Sequence, residues 1–121
     1  MDQETEIVKP KRIQRKRAPG WRKPLGAVYV GRGSRFGNPI TMDMISSDID
    51  RETAQKVLVR EFEEWLNGSD AWVSDAPRRR RLLDSLCDLR GKTLMCWCAE
   101  AETCHADVLL RMANDQERTA K

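Results

Sequence analysis

Four residues within ten positions hold most of the reactive side chains of this chain: Cys96, Cys98, Cys104 and His105. Cys96 and Cys98 flank Trp97 in an apolar run, and side chains two apart on a strand point to the same face. Cys104 and His105 follow a short polar turn and open a helical pattern, with Thr103 as the expected cap. Three thiols and an imidazole make a full donor set for a tetrahedral Zn²⁺ ion or an iron–sulfur cluster. The spacing departs from paired Cys-x-x-Cys knuckles, so adjacent Cys104 and His105 need a tight turn to meet on one ion. A metal-free chemistry is also open. A thiolate in the first turn of a helix is stabilised by the positive end of the dipole. Cys104 beside His105, the single histidine of the chain, is then a candidate nucleophile or proton-transfer pair. Small buried thiols under a sheet are the plain alternative, and that reading suits Cys87, between Leu86 and Leu89.

A second set lies in the segment Gly31-Arg32-Gly33-Ser34-Arg35-Phe36-Gly37-Asn38-Pro39. Its three glycines permit close backbone approach and positive φ, and main-chain N–H groups in such a loop can cradle an anion. Arg32 and Arg35 add charge-assisted donors, and Asn38 adds an amide for a base or sugar edge. The spacing matches neither the phosphate-loop nor the dinucleotide fingerprint, so no particular nucleotide follows. Trp21 and Phe36, each beside an arginine, are candidates to stack on a base.

The elements that must position these residues are short. Arg12–Lys16 reads as a basic edge strand, and Ala27–Val30 as the first buried strand. A helix is expected from Arg51, capped by Asp50 and stopped at Gly68, with Ala54, Val57, Leu58, Phe62, Trp65 and Leu66 on its apolar face. A second is expected from Pro77 to Gly91, carrying Leu82, Leu83, Leu86 and Leu89 inward. Its Arg78–Arg81 run reads as a solvated first turn with a phosphate contact open to it. Lys92–Cys98 is the second convincing strand, and Cys104–Asn114 the last helix. Two strands joined by a long helical crossover pair in parallel. The expected fold is therefore α/β: a small single domain with a short, mainly parallel sheet and flanking helices. Ligands of parallel sheets bind beyond the carboxyl ends of the strands. Both motifs leave such ends, so both are expected on one edge of the sheet.

The 121 residues suffice for one small core. Residues 1–10 read as a flexible lead-in, 11–114 as the domain and 115–121 as a tail. The start is polar and acidic, unlike a signal peptide, and no apolar run is long enough to span a membrane. The expected compartment is the cytoplasm, where cysteines serve as thiols or metal ligands more often than as disulfides. The net charge of +3 conceals a strong asymmetry: residues 7–42 hold ten Lys or Arg and no carboxylate. Such a window points to an anionic partner, either nucleic acid or a phosphate-bearing small molecule.

Gly20-Trp21-Arg22-Lys23-Pro24, Val28–Arg32, Ser34–Pro39, Leu89–Lys92, Cys96-Trp97-Cys98 and Cys104–Leu110, in this order, resemble domain-of-unknown-function family 4326 over about residues 12–114. The resemblance implies a small stand-alone cytoplasmic protein of bacterial or phage origin, and it carries no established reaction. It places Asn38, Asp107 and the loop arginines with the cysteines as site residues. Gly33 departs from the pattern, in which proline is common. The leading expectation is a nucleotide- or nucleic-acid-directed protein with a zinc-holding Cys/His cluster, Asp107 orienting His105, and Trp21, Arg32, Ser34, Arg35 and Asn38 binding the ligand. In an enzyme of this kind, Cys104, His105 and Asp107 would be catalytic. The rival is a non-catalytic DNA-, RNA- or protein-binding module whose metal is structural or whose thiols are free.

Overall fold

The computed structural model describes residues 11–45, 47–98 and 102–114; the expected lead-in and tail lie outside them. Among the described residues are three strands, β1 (Arg12–Gln14), β2 (Val28–Tyr29) and β3 (Leu94–Cys96), and three helices, α1 (Arg51–Leu66), α2 (Ala76–Asp84) and α3 (His105–Asn114). The strands form one parallel sheet in the order β1-β3-β2, with Leu94 opposite both Arg12 and Val28, and Met95 opposite both Ile13 and Tyr29. The expected parallel α/β sheet is thus present, with shorter strands than the apolar runs suggested.

Alternation along β3 decides the layers. Leu94 and Cys96 enter one core with Val30, Phe62 and Trp65, joined by Leu82 of α2 and Leu109 of α3. Met95, one residue out of phase, points to the opposite face and is buried there without joining the core that the helices form. Helices therefore pack on one side of the sheet only. Phe62 and Trp65 stack at 6.3 Å between centroids, and aromatic pairs of this kind contribute much of a small core's burial. A second apolar cluster, Ile40, Ile45, Ala54 and Leu58, seats the loop after β2 against α1.

α1 begins and ends as its sequence requires. The Asp50 carboxylate accepts from the Thr53 N–H, and Gly68, at φ +113°, turns the chain away. The second helix differs from expectation. Asp75 caps it by accepting from the Arg78 N–H, but it ends at Asp84, and Leu86–Leu89 form a separate 3-10 turn. Leucines at positions 82, 83, 86 and 89 satisfy a continuous helix and a broken one alike. The break at Ser85 leaves Cys87 exposed rather than packed in the core. The Arg78–Arg81 run is also less free than expected. Arg78 donates to the Gly37 carbonyl at 2.9 Å, and Arg79 donates to Asp70 at 2.6 Å while lying over the Trp65 ring. No described helix is long and apolar enough to cross a membrane.

Candidate metal centre

The end of β3 and the start of α3 bring Cys96, Cys98 and Cys104 together, with all three sulfur atoms within 4.8 Å of one another. Cys96 and Cys104 are fully buried and their sulfurs lie 3.0 Å apart. Cys98 is half-buried. The turn that allows this is built on sulfur. Cys104, rather than Thr103, occupies the position before α3, and its Sγ accepts from the Ala106 N–H at 3.4 Å. Asp107 reciprocates, its Oδ2 accepting from the Cys104 N–H at 3.1 Å. The pair reproduces the mutual capping of a helix start, with a thiol where serine or threonine usually stands.

His105 stands next to the group on the helix side, beside Cys104. Its Nε2 lies 2.7 Å from the Val30 carbonyl oxygen, which only accepts, so Nε2 carries the hydrogen. Its Nδ1 is thereby left bare, and it lies 3.6 Å from Cys104 Sγ. Burial holds the imidazole below its ordinary pKa, which favours the neutral ring. Phe62 meets it edge-on at 5.3 Å between centroids. The residue that orients His105 is thus Val30. Asp107, expected in that role, holds the Cys104 backbone and Arg12 instead.

The three thiols share charge unequally. Hydrogen bonds from the Cys104 and Cys98 thiols, with help from Arg12, pull Cys96 far below the ordinary thiol value. The Cys96 and Cys98 hydrogen bonds, with burial, push Cys104 up. A single thiolate on Cys96, with protons on its neighbours, satisfies both. A fully buried thiol raised in this way is a poor free nucleophile.

Two residues that carry this centre have no motif in the sequence. Arg12 of β1 has its side chain 8% exposed. It donates to Asp107 Oδ1 at 3.0 Å and to the Glu102 carbonyl at 2.7 Å, and it reaches Cys96 Sγ at 3.9 Å. Gln55 of α1 donates to the Thr103 carbonyl at 2.7 Å and lies 3.6 Å from Cys98 Sγ. A lone base or amide in an amphipathic element carries no signal of its own; strand pairing and helix docking bring these two to the site.

A cleft of about 390 Å³ opens directly on the cluster. Cys96, Cys98 and His105 form one wall, and Gly31, Arg32 and Asn38 of the loop form another. Both motifs do meet at one edge of the sheet. The loop divides its charges, however. Arg32 lines this cleft, whereas Arg35 points away to donate to the Ser85 hydroxyl at 3.0 Å, beside Arg78 and Arg81. Gly33, at φ +90°, makes the turn that separates them. Gly31 lets the Tyr29 ring lie close against the loop: a Cβ there would meet the Tyr29 hydroxyl at 2.5 Å, and the ring would have to move.

The remaining loop residues are spent on the loop. Ser34 Oγ donates to the Gly31 carbonyl and accepts from the Phe36 N–H. Asn38 accepts from the Ile40 N–H at 2.9 Å and donates to the Leu58 carbonyl at 3.1 Å, latching the loop to α1. The N–H groups of Ser34 and Gly37 are likewise bonded within the loop, so they form no open anion cradle. Phe36 is buried in the core. Trp21 lies in a separate groove with Arg15, Lys16 and Arg17.

Among known proteins, the family model described as "Domain of unknown function (DUF4326)" matches residues 13–115. No curated protein and no solved structure matches the chain.

Proposed function

The chain belongs to the DUF4326 family, and we propose that it is a zinc-holding module whose adjoining cleft receives the phosphate-bearing part of a nucleotide or nucleic acid. Cys96, Cys98, Cys104 and His105 are the four ligands. One observation carries the metal reading: three sulfurs gather within 4.8 Å of one another, and beside them His105 keeps a bare Nδ1 3.6 Å from Cys104 Sγ while its Nε2–H is fixed on the Val30 carbonyl. Metal-bound histidines are held by their other nitrogen in this way. Zinc ligand distances of about 2.3 Å for sulfur and 2.0–2.1 Å for nitrogen put S and N roughly 3.6 Å apart on a shared ion. The Cys104–His105 pair already has that separation. Cys96 and Cys104, at 3.0 Å, keep a thiol–thiolate contact that an ion would open to roughly 3.8 Å. Three sulfurs this close leave room for one ion, not for a multi-iron core.

With four protein ligands the centre is closed. Its work is then to tie β3 to α3 and so hold one wall of the cleft. Arg32 is the cation placed for a phosphate in that cleft, and the acid-free segment through residue 42 supplies the surrounding positive field. Elemental analysis of protein purified without chelator tests the metal. The expected result is about one zinc per chain, lost in Cys96→Ser and Cys104→Ser and kept in Cys87→Ser. Metal-free protein of undiminished stability would refute it. The ligand half predicts that Arg32→Ala weakens nucleotide or oligonucleotide binding while leaving zinc content intact.

A catalytic reading has one observation in its favour: the cleft reaches Cys96, Cys98 and His105 directly. Were His105 to stay on Val30 alone, the fourth coordination position would face the cleft and could polarise a water or a substrate carbonyl. In His105→Ala the two readings part. A closed site loses most of its zinc affinity, whereas a three-thiolate site keeps its metal.

A further inference from the structure

The sheet face opposite the helices carries a groove of about 640 Å³. Its floor is Tyr29, Met95 and Trp97, and its sides carry Arg15, Lys16, Arg17 and Lys23, with Trp21 among them. Among the described residues, no carboxylate lines it, and none of its four cations forms an ion pair. The arginines stack instead. Arg15 lies 4.9 Å from the Tyr29 ring centre and 5.0 Å from that of Trp97, and Arg17 lies 4.5 Å from the latter. Trp97 nevertheless keeps 37% of its surface exposed, although it stands between two cysteines of the buried cluster. Tyr29 and Trp97 also line the cleft at the metal centre. Groove and cleft therefore share these two rings as a common border.

We propose that this groove binds a single strand of nucleic acid and leads it over Trp97 into the cysteine cleft. The proposal rests on the nucleotide-directed reading of that cleft and names its ligand class. Three features select the single strand. Exposed rings can stack only on bases whose faces are free, and duplex bases have their faces covered by their neighbours. Unpaired cations set along a groove match a ligand with regularly spaced phosphates. Each cavity alone has the size of a small-molecule pocket, and two in series suit a chain rather than one nucleotide. Arg15, Lys16, Arg17 and Lys23 meet the backbone, Trp21 and Trp97 meet bases, and Arg32 meets a phosphate at the far end.

The test uses full-length protein and fluorescently labelled oligothymidylate and oligouridylate of about a dozen nucleotides, a length within the usual site size of such grooves. Anisotropy titrations are run at several salt concentrations, beside the same label on a duplex and with free nucleoside monophosphate as competitor. The single strand is expected to bind at least tenfold more tightly than the duplex, and the monophosphate to compete poorly. Arg15→Ala combined with Arg17→Ala should weaken binding tenfold or more and flatten the log–log salt slope by about 1.4. Trp97→Ala should cost about five- to a hundredfold, with Trp97→Phe close to wild type. Binding by either oligomer supports the proposal, and their ratio tells DNA from RNA as the source. Equal affinity for duplex, effective competition by the monophosphate, or unchanged binding by the groove variants would overturn it. Zinc is measured on every sample. Tight strand binding by zinc-free protein sinks the metal reading alone, and a full zinc complement without strand binding sinks this proposal alone.

Discussion

Arg12 and Cys96, 84 residues apart in sequence, lie on neighbouring strands two register positions apart, and the arginine side chain reaches along the sheet to bring its guanidinium 3.9 Å from the sulfur. The same guanidinium holds Asp107, the residue that caps the helix bearing Cys104 and His105. One side chain thus supports the charge of the cluster and fixes the position of two of its members. Burial works against this arginine's charge, but its hydrogen bond to Cys96 and the nearby Asp107 outweigh that and raise its pKa. It stays protonated at every working pH.

Replacing Arg12 should therefore weaken the metal centre without removing a ligand. Arg12→Gln is expected to lower zinc affinity by about 10- to 100-fold, the usual range for residues that support metal ligands. Arg12→Lys should restore little of it, because one ammonium cannot reach Asp107, the Glu102 carbonyl and Cys96 together. Competition against a chromophoric chelator measures both. Equal affinities in all three proteins would show that the arginine is structural only.

Removing the metal should lower stability by mass action. An ion present at a hundredfold excess over its dissociation constant adds about 2.7 kcal/mol to the folded state. Thermal unfolding with and without a strong chelator should differ accordingly, and zinc should restore the original midpoint. Cys87→Ser, on the exposed 3-10 turn, should behave as wild type in both arms.

Asn38 and Arg32 line the same cleft but should fail in different ways. Asn38→Ala deprives the Leu58 carbonyl and the Ile40 N–H of their partners, a loss of about 1–3 kcal/mol. Urea denaturation should register it. Arg32→Ala should leave the urea midpoint unchanged and appear only in ligand binding.

Phe62 joins the core to the metal centre by its edge-on contact with His105. Phe62→Ala is expected to cost about 3–5 kcal/mol, and zinc affinity should fall with it. Phe62→Leu keeps most of the apolar volume and should recover more of the stability than of the affinity, because an aliphatic chain cannot fix the imidazole plane. Paired unfolding and zinc titrations would separate the two effects.

Much of the site was legible in the sequence because parallel strands have a polarity. The Gly31–Pro39 loop and the Cys98–His105 turn both leave carboxyl ends, so their meeting at one edge follows from strand direction alone. The partition of Arg32 from Arg35 was not legible. It depends on the backbone turn at Gly33 and on a Ser85 hydroxyl half the chain away. Nor did the spacing of Leu82, Leu83, Leu86 and Leu89 reveal the break at Ser85, since a 3-10 turn also keeps residues three apart in line. Arg12 shows in the sequence only as part of a basic edge strand, for its importance lies in the Asp107 carboxylate and the Cys96 sulfur that its side chain reaches. Trp21, an aromatic residue among cations in the sequence, lies in the groove on the other face of the sheet.

The strand order β1-β3-β2 has a consequence for how the protein is made. β3 is the central strand, and both of its partners are synthesised long before it. Until residue 96 leaves the ribosome, neither β1 nor β2 has a neighbour to bond to, and Arg12 has no thiolate beside it. The basic segment between them, rich in exposed cations and rings, emerges into the cell unpaired. Sheets closed by such distant contacts form slowly. The last quarter of the chain, which supplies β3 together with Cys104 and His105, must therefore arrive before any of it can become permanent.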